Sequence, residues 1–218
     1  GTIYYLGIHV KKDYKEANRL YQLSADQGNE NALYYLGIMY LNGLDVVKND
    51  AEAIKLFKLS AEKNHIYSQN MLGDIYLNGQ GVIQNYEMAY KWFKRAAEQG
   101  DAASQNNLGT MYYNGSHVSQ NYTESIKWYK RSAEQNVPTA KYNLATMYLS
   151  GKGVKVNIKK ALQLLISAAE LNNKDAQFKL SEMYLNGEGI EKDYEEGTKW
   201  FSRYNRSEEE AEEESDDE

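Results

Sequence analysis

The chain has no cysteine. That single absence excludes a disulfide framework, a thiolate zinc site and a cysteine nucleophile. No apolar run approaches the roughly 18 residues of a membrane-spanning helix, so no membrane insertion is expected. The first residue is Gly1 rather than methionine, and neither a basic n-region nor an apolar h-region follows it. A start of this kind suggests a piece of a longer polypeptide. Together with the missing cysteine it leans towards a cytoplasmic address and leaves a secretory-pathway lumen open. Histidine is scarce, with only His9, His65 and His117. Neither His65 nor His117 has a His or Glu partner at the i, i+4 spacing of a helical metalloprotease site. Three surface histidines are therefore expected, with no metal, no cofactor and no catalytic centre.

Charge is nearly balanced once it is located. The formal net charge is −6, but the last twelve residues, SEEEAEEESDDE, hold nine acids and no base. The rest carries 22 acids against 25 Lys and Arg, so it has no broad basic field for nucleic acid. The acidic stretch cannot bury enough surface to offset its ordering entropy, so 207–218 is expected to be a disordered tail.

What the chain does have is repetition. Leu36, Leu72, Leu108, Leu144 and Leu180 stand 36 residues apart, and so do Tyr40, Tyr76, Tyr112, Tyr148 and Tyr184. Gly43, Gly79, Gly115, Gly151 and Gly187 keep the same step, with Val46, Val82, Val118, Val154 and Ile190 behind them. A unit of this length used several times is the mark of a repeat architecture. Each unit reads as two helices. Ala32, Leu36, Met39 and Tyr40 form an apolar stripe at helical spacing, and the glycine at position 43 stops the first helix. Asn49, Asn85, Asn121, Asn157 and Asp193 are good N-caps for the second. Glu52, Glu124 and Glu196, three residues on, give three of them the capping-box spacing. Asn64, Gly100, Asn136 and Asn172 end the second helix. The column Gly37, Gly73, Gly109, Ala145, Ser181 is always small, which lets a neighbouring helix come close.

Glycine pairs such as Gly79/Gly81 could suggest a phosphate cradle. They follow a helix rather than a strand, and they recur, so they read as turns. Trp92, Trp128 and Trp200 share one column beside the apolar stripe and read as packing residues.

The pattern Leu72-Gly73, Tyr76, Gly79, Gly81, Val82, Ala89, Trp92, Phe93, Ala96, Ala97, Glu98, Gly100 resembles the Sel-one-like (SLR) repeat, a branch of the tetratricopeptide superfamily. The resemblance implies an all-α fold: a right-handed α-solenoid of stacked helix-turn-helix repeats with a 36-residue period and a concave inner face. It covers 1–206, as a partial or degenerate repeat at 1–29 and repeats at about 30–65, 66–101, 102–137, 138–173 and 174–206. Aligning Leu6-Gly7 with Leu36-Gly37 leaves the first unit six loop residues short. It also implies an adaptor role. In the superfamily the first-helix positions opposite the Leu stripe line the groove. Here these are Tyr34, Asn70, Asp74, Asn106, Thr110, Tyr142, Thr146, Phe178 and Glu182, flanked by Asn107 and Asn143. Such a groove is polar, aromatic and almost uncharged. Asn can pair with the backbone of an extended peptide, and Tyr gives broad contact at low entropy cost. The expected function is a non-catalytic scaffold that binds a protein or peptide segment there. The alternatives are self-association through the solenoid ends or convex face, and a regulatory part of an enzyme whose catalytic residues lie elsewhere.

Overall fold

A computed structural model describes the backbone of residues 1–216 and the side chains of residues 1–206. The described residues form helices joined by short turns, with no strand. Two compact units divide the chain, Gly1–Ser104 and Gln105–Glu218. The first holds α1 (Thr2–Leu6), α2 (Tyr14–Ala25), α3 (Glu30–Asn42), α4 (Asp50–Glu62), α5 (Ile66–Asn78) and α6 (Tyr86–Glu98). The boundary falls inside α7 (Ala102–Asn114). The second continues with α8 (Tyr122–Glu134), α9 (Pro138–Ser150), α10 (Ile158–Glu170), α11 (Lys174–Asn186) and α12 (Tyr194–Asp216). Within each unit, helices pack on their neighbours in the chain, as in α3 on α4, α4 on α5, α9 on α10 and α10 on α11. Each unit is thus a stack of helix pairs.

The turn between paired helices is the same object six times. The N–H of the second helix's cap reaches back to the conserved-register tyrosine carbonyl: Asp13 to Tyr4, Asn49 to Tyr40, Asn85 to Tyr76, Asn121 to Tyr112, Asn157 to Tyr148 and Asp193 to Tyr184, all 2.8–3.0 Å. Gly79 ends α5 at φ 72°, the left-handed conformation that glycine adopts without steric cost. Gly81 has φ 67° and a second constraint, because a Cβ there would lie 2.6 Å from Asp50 Cβ. Where the chain has Asp45 or His117 instead, the left-handed φ is kept, at 59° and 66°.

The first repeat needs a correction. Gly7 caps α1 at φ 71°, His9 has φ 60°, and Asp13 caps α2 by accepting from the Glu16 N–H. These are the counterparts of Gly43, Asp45 and Asn49, each 36 residues later. Leu6-Gly7 therefore matches Asn42-Gly43, not Leu36-Gly37. No loop residues are missing; the unit contains only the last part of its first helix.

The capping boxes form by half. Asn49 and Asn121 accept the N–H of Glu52 and Glu124 at 3.0 Å, and Asp193 accepts that of Glu196. The reciprocal bond is pre-empted, since each cap N–H is committed to its tyrosine carbonyl. The glutamates pair instead with Lys55, Lys127 and Lys199 three residues on. These pairs are exposed and contribute little to stability.

The small column serves an aromatic ring. A Cβ on Gly37, Gly73 or Gly109 would fall 2.6, 2.4 or 2.7 Å from the ring of Phe57, Phe93 or Tyr129. Where that ring is replaced by Leu165, the small column carries Ala145, and both are fully buried. Trp92, Trp128 and Trp200 are buried, as expected of packing residues, with Arg95, Arg131 and Arg203 lying 4.8–5.2 Å over their rings.

Helix α12 continues past the boundary expected at residue 206. Its Glu-rich continuation contains good helix formers and no glycine or proline stop. Where a disordered tail is expected at 207–218, the backbone is helical through Asp216, and residues 217 and 218 lie outside the described residues.

Candidate functional face

The odd-numbered helices place their Leu and Met columns inward, and Leu36, Leu72, Leu108, Leu144 and Leu180 are all buried. A step of 100° per residue then turns the positions of Tyr34, Asn70, Asn106, Tyr142 and Phe178 away from the core. Each of the eleven residues expected on this face is half-buried except Phe178, which is exposed.

In the first unit the face is aromatic and acidic. Tyr34 on α3 lies 4.9 Å from the ring of His65 and 6.3 Å from that of Tyr67 on α5. Asn70 donates to Asp74 Oδ2 at 3.4 Å, and its own Oδ1 accepts from Ser104 Oγ at 2.8 Å. Burial, followed by the nearby Asp101 carboxylate, pushes the Asp74 pKa up to about 6. His65 corrects an expectation, for it is no free surface histidine. Its Nδ1 caps α5 by accepting from the Ser68 N–H, its Nε2 bonds Asn31 Oδ1 at 3.1 Å, and burial lowers its pKa. Nothing in residue type marked it; its place in the cap column with Asn29 and Asn173 could have.

In the second unit the face is concave. A cavity of about 550 Å³ is lined by Asn106, Thr110, Tyr113, Asn114, Tyr129, Thr139, Tyr142, Asn143 and Thr146. Asn143 Nδ2 donates to Asn106 Oδ1 at 3.1 Å, and Asn106 Nδ2 lies 3.5 Å from Asn107 Oδ1. Thr110 bonds the Asn106 carbonyl and the Tyr129 hydroxyl, while Thr146 bonds the Asn143 carbonyl. The threonines are thereby held by their own helices, and the asparagine amides form a chain across α7 and α9. Burial raises the Tyr142 pKa, with the Asp175 carboxylate adding to it, so the phenol stays protonated and can donate.

Phe178 and Glu182 belong to α11, beyond this cavity. Phe178 packs on Tyr204 at 5.3 Å, and Glu182 pairs with Lys179 at 3.3 Å. Lys179 also pairs with Glu188 at 2.9 Å. The almost uncharged groove expected from sequence thus acquires an ion-paired cluster on α11. Lys179 stands in the same column as Asn107 and Asn143, a register that identifies it without coordinates.

Among the described residues no cluster of three or more His, Asp or Glu could hold a metal ion, and no helix is long and apolar enough to cross a membrane. The face offers hydrogen-bonding amides, hydroxyls and aromatic surface. That chemistry suits recognition.

The comparisons agree with the repeat. The Sel1 repeat family matches residues 1–29, 31–65, 66–101, 102–137, 138–173 and 174–203. Among solved structures, a Sel1 repeat protein from Oxalobacter formigenes is 32% identical, with a TM-score of 0.88 over 94% of this chain and 84% of that one. A protective antigen of uropathogenic Escherichia coli strains with an SLR fold is 34% identical, with a TM-score of 0.85 over 94% of this chain but 44% of the other. The immunity protein Pa5087 of Pseudomonas aeruginosa, 18% identical with a TM-score of 0.58 over 88% of this chain and 74% of that one, shares the fold alone. No curated protein matches the chain. Sel1 repeat proteins are generally non-catalytic scaffolds for protein interactions, and their TPR-like helix pairs are those described above. Six matched repeats covering nearly the whole chain establish that this protein belongs to the Sel1 repeat family.

Proposed function

We propose that the protein is a non-catalytic adaptor that binds an extended segment of a partner protein on the odd-helix face of its second unit. The observation that carries this reading is the cavity between α7, α8 and α9 with its chain of asparagine amides. Asn143 Nδ2 donates to Asn106 Oδ1, and Tyr142, whose pKa burial raises, keeps its hydroxyl proton. An extended peptide backbone presents the N–H and C=O groups that such side chains satisfy. Replacing Asn106, Asn107 and Tyr142 together by alanine is expected to leave the helical circular dichroism intact and abolish capture of the partner from source-cell lysate. Full capture by the folded triple variant would refute the reading.

A further inference from the structure

The first unit presents a face whose chemistry differs from that of the second. Three rings on it are mutual neighbours: Tyr34 and His65 at 4.9 Å, His65 and Tyr67 at 5.7 Å, and Tyr34 and Tyr67 at 6.3 Å. Behind them the aromatic surface continues through Tyr35, stacked on Tyr21 at 5.0 Å with only 7° between the planes, and through Tyr5 at 5.6 Å from Tyr35. Tyr67 is 63% exposed although it sits beside these rings, so its π-face is available to solvent. Burial keeps His65 neutral at pH 7, which removes the one ring charge that would repel a cation.

The charge that the odd helices themselves bring to this face has one sign. Helices α1, α3 and α5 contain no Lys or Arg, while the even helices α4 and α6 carry Lys55, Lys58, Lys91, Lys94 and Arg95. The acids of α3 and α5 are Glu30 and Asp74. Glu30 lies one turn before Tyr34 on the same face of α3, close enough to act electrostatically on His65. A planar aromatic surface next to a carboxylate matches guanidinium: the plane stacks on the ring while its N–H groups pair with the carboxylate. An ammonium gains the charge term but not the stacking, and an anion gains neither.

We infer that the Tyr34–His65–Tyr67 platform with Glu30 is an arginine-reading subsite, taking an arginine side chain from an extended segment of the partner protein. This deepens the adaptor reading and rests on it.

The test uses the full chain and defined probes. Fluorescein-labelled ten-residue Gly/Ser peptides carrying two arginines, two lysines or two glutamines are titrated by fluorescence anisotropy. The arginine peptide is expected to bind at least tenfold more tightly than the glutamine peptide and more tightly than the lysine peptide. Tyr67→Ala and Glu30→Gln each change an exposed or helix-end residue and should preserve the fold. Each is expected to weaken arginine-peptide binding at least fivefold. Binding that is equal in wild type, Tyr67→Ala and Glu30→Gln would place the peptide elsewhere, including on the acidic residues 207–218, and overturn the inference. Absence of any arginine preference would overturn it as well. The Asn106/Asn107/Tyr142 variant separates the two proposals. If it loses the lysate partner while Tyr67→Ala does not, the adaptor reading stands and the arginine subsite falls.

Discussion

The contact between Gly73 and Phe93 offers a quantitative test of how the repeat is packed. A Cβ on Gly73 would lie 2.4 Å from the Phe93 ring, which is fully buried and cannot swing out of the way. Gly73→Ala gains about 1 kcal/mol of helix propensity. With the ring only 2.4 Å away it loses about 2–3 kcal/mol, the upper part of the overpacking range, for a net cost of roughly 1–2 kcal/mol. Phe93→Leu alone removes buried ring volume and costs about 1–2 kcal/mol, below the 3–5 of a full truncation to alanine. The chain already contains the compensated pair, Ala145 with Leu165, two repeats further on. The double variant Gly73→Ala/Phe93→Leu should therefore be no less stable than the worse single one, with a favourable coupling of at least about 1 kcal/mol. Urea unfolding of the four proteins of this cycle, followed by circular dichroism, measures it. Strictly additive losses would refute the reading that the small column exists to seat the ring.

Two further stability predictions follow from single residues. Asp74 has a folded pKa raised to about 6 by burial and Asp101, so between about pH 4 and 6 the folded chain binds more protons than the unfolded one. Stability from this residue is therefore present at pH 4 and lost as pH rises through 6. Since Asp74 is only part-buried, the effect is discounted to about 1 kcal/mol, and Asp74→Asn should be more stable by that amount at pH 7 and equal at pH 4. A variant equally stable, or less so, at pH 7 would contradict this. Gly81→Ala meets both a left-handed φ and the nearby Asp50 Cβ, so it should cost about 2–3 kcal/mol in urea unfolding. A cost under 0.5 kcal/mol would show that the turn is looser than described.

Much of the fold was legible because the repeat states each rule several times. The cap columns, the left-handed stops and the inward Leu stripe depend on local backbone sterics and periodicity, which a sequence carries openly. What was not legible depends on competition or on tertiary neighbours. Asn49 spends its N–H on Tyr40 rather than on Glu52, a choice set by the returning loop. The first repeat was misaligned because Leu6-Gly7 copies a dipeptide found elsewhere in the unit, and only the φ values of Gly7 and His9 fix its register. The buried glutamines were hidden too. Gln69 donates to the Ala61 carbonyl and Gln177 to the Ala169 carbonyl, both at 3.1 Å, each bond linking successive repeats. Polar residues at these columns look solvent-facing until the neighbouring repeat is stacked on them. On the candidate face, position followed from helical geometry, whereas the concavity around Asn106 and Asn143 arises from how α7, α8 and α9 pack.

The central claim is that partners bind the odd-helix face, and hydroxyl-radical footprinting of the chain with its captured partner tests it most directly. Tyr142 and Phe178 lie on that face; Tyr86, Tyr194 and Phe201 belong to even helices and are exposed. The account predicts that partner binding protects Tyr142 and Phe178 from oxidation and leaves Tyr86, Tyr194 and Phe201 unchanged. Protection of the even-helix residues with Tyr142 still oxidised at its free rate would contradict it.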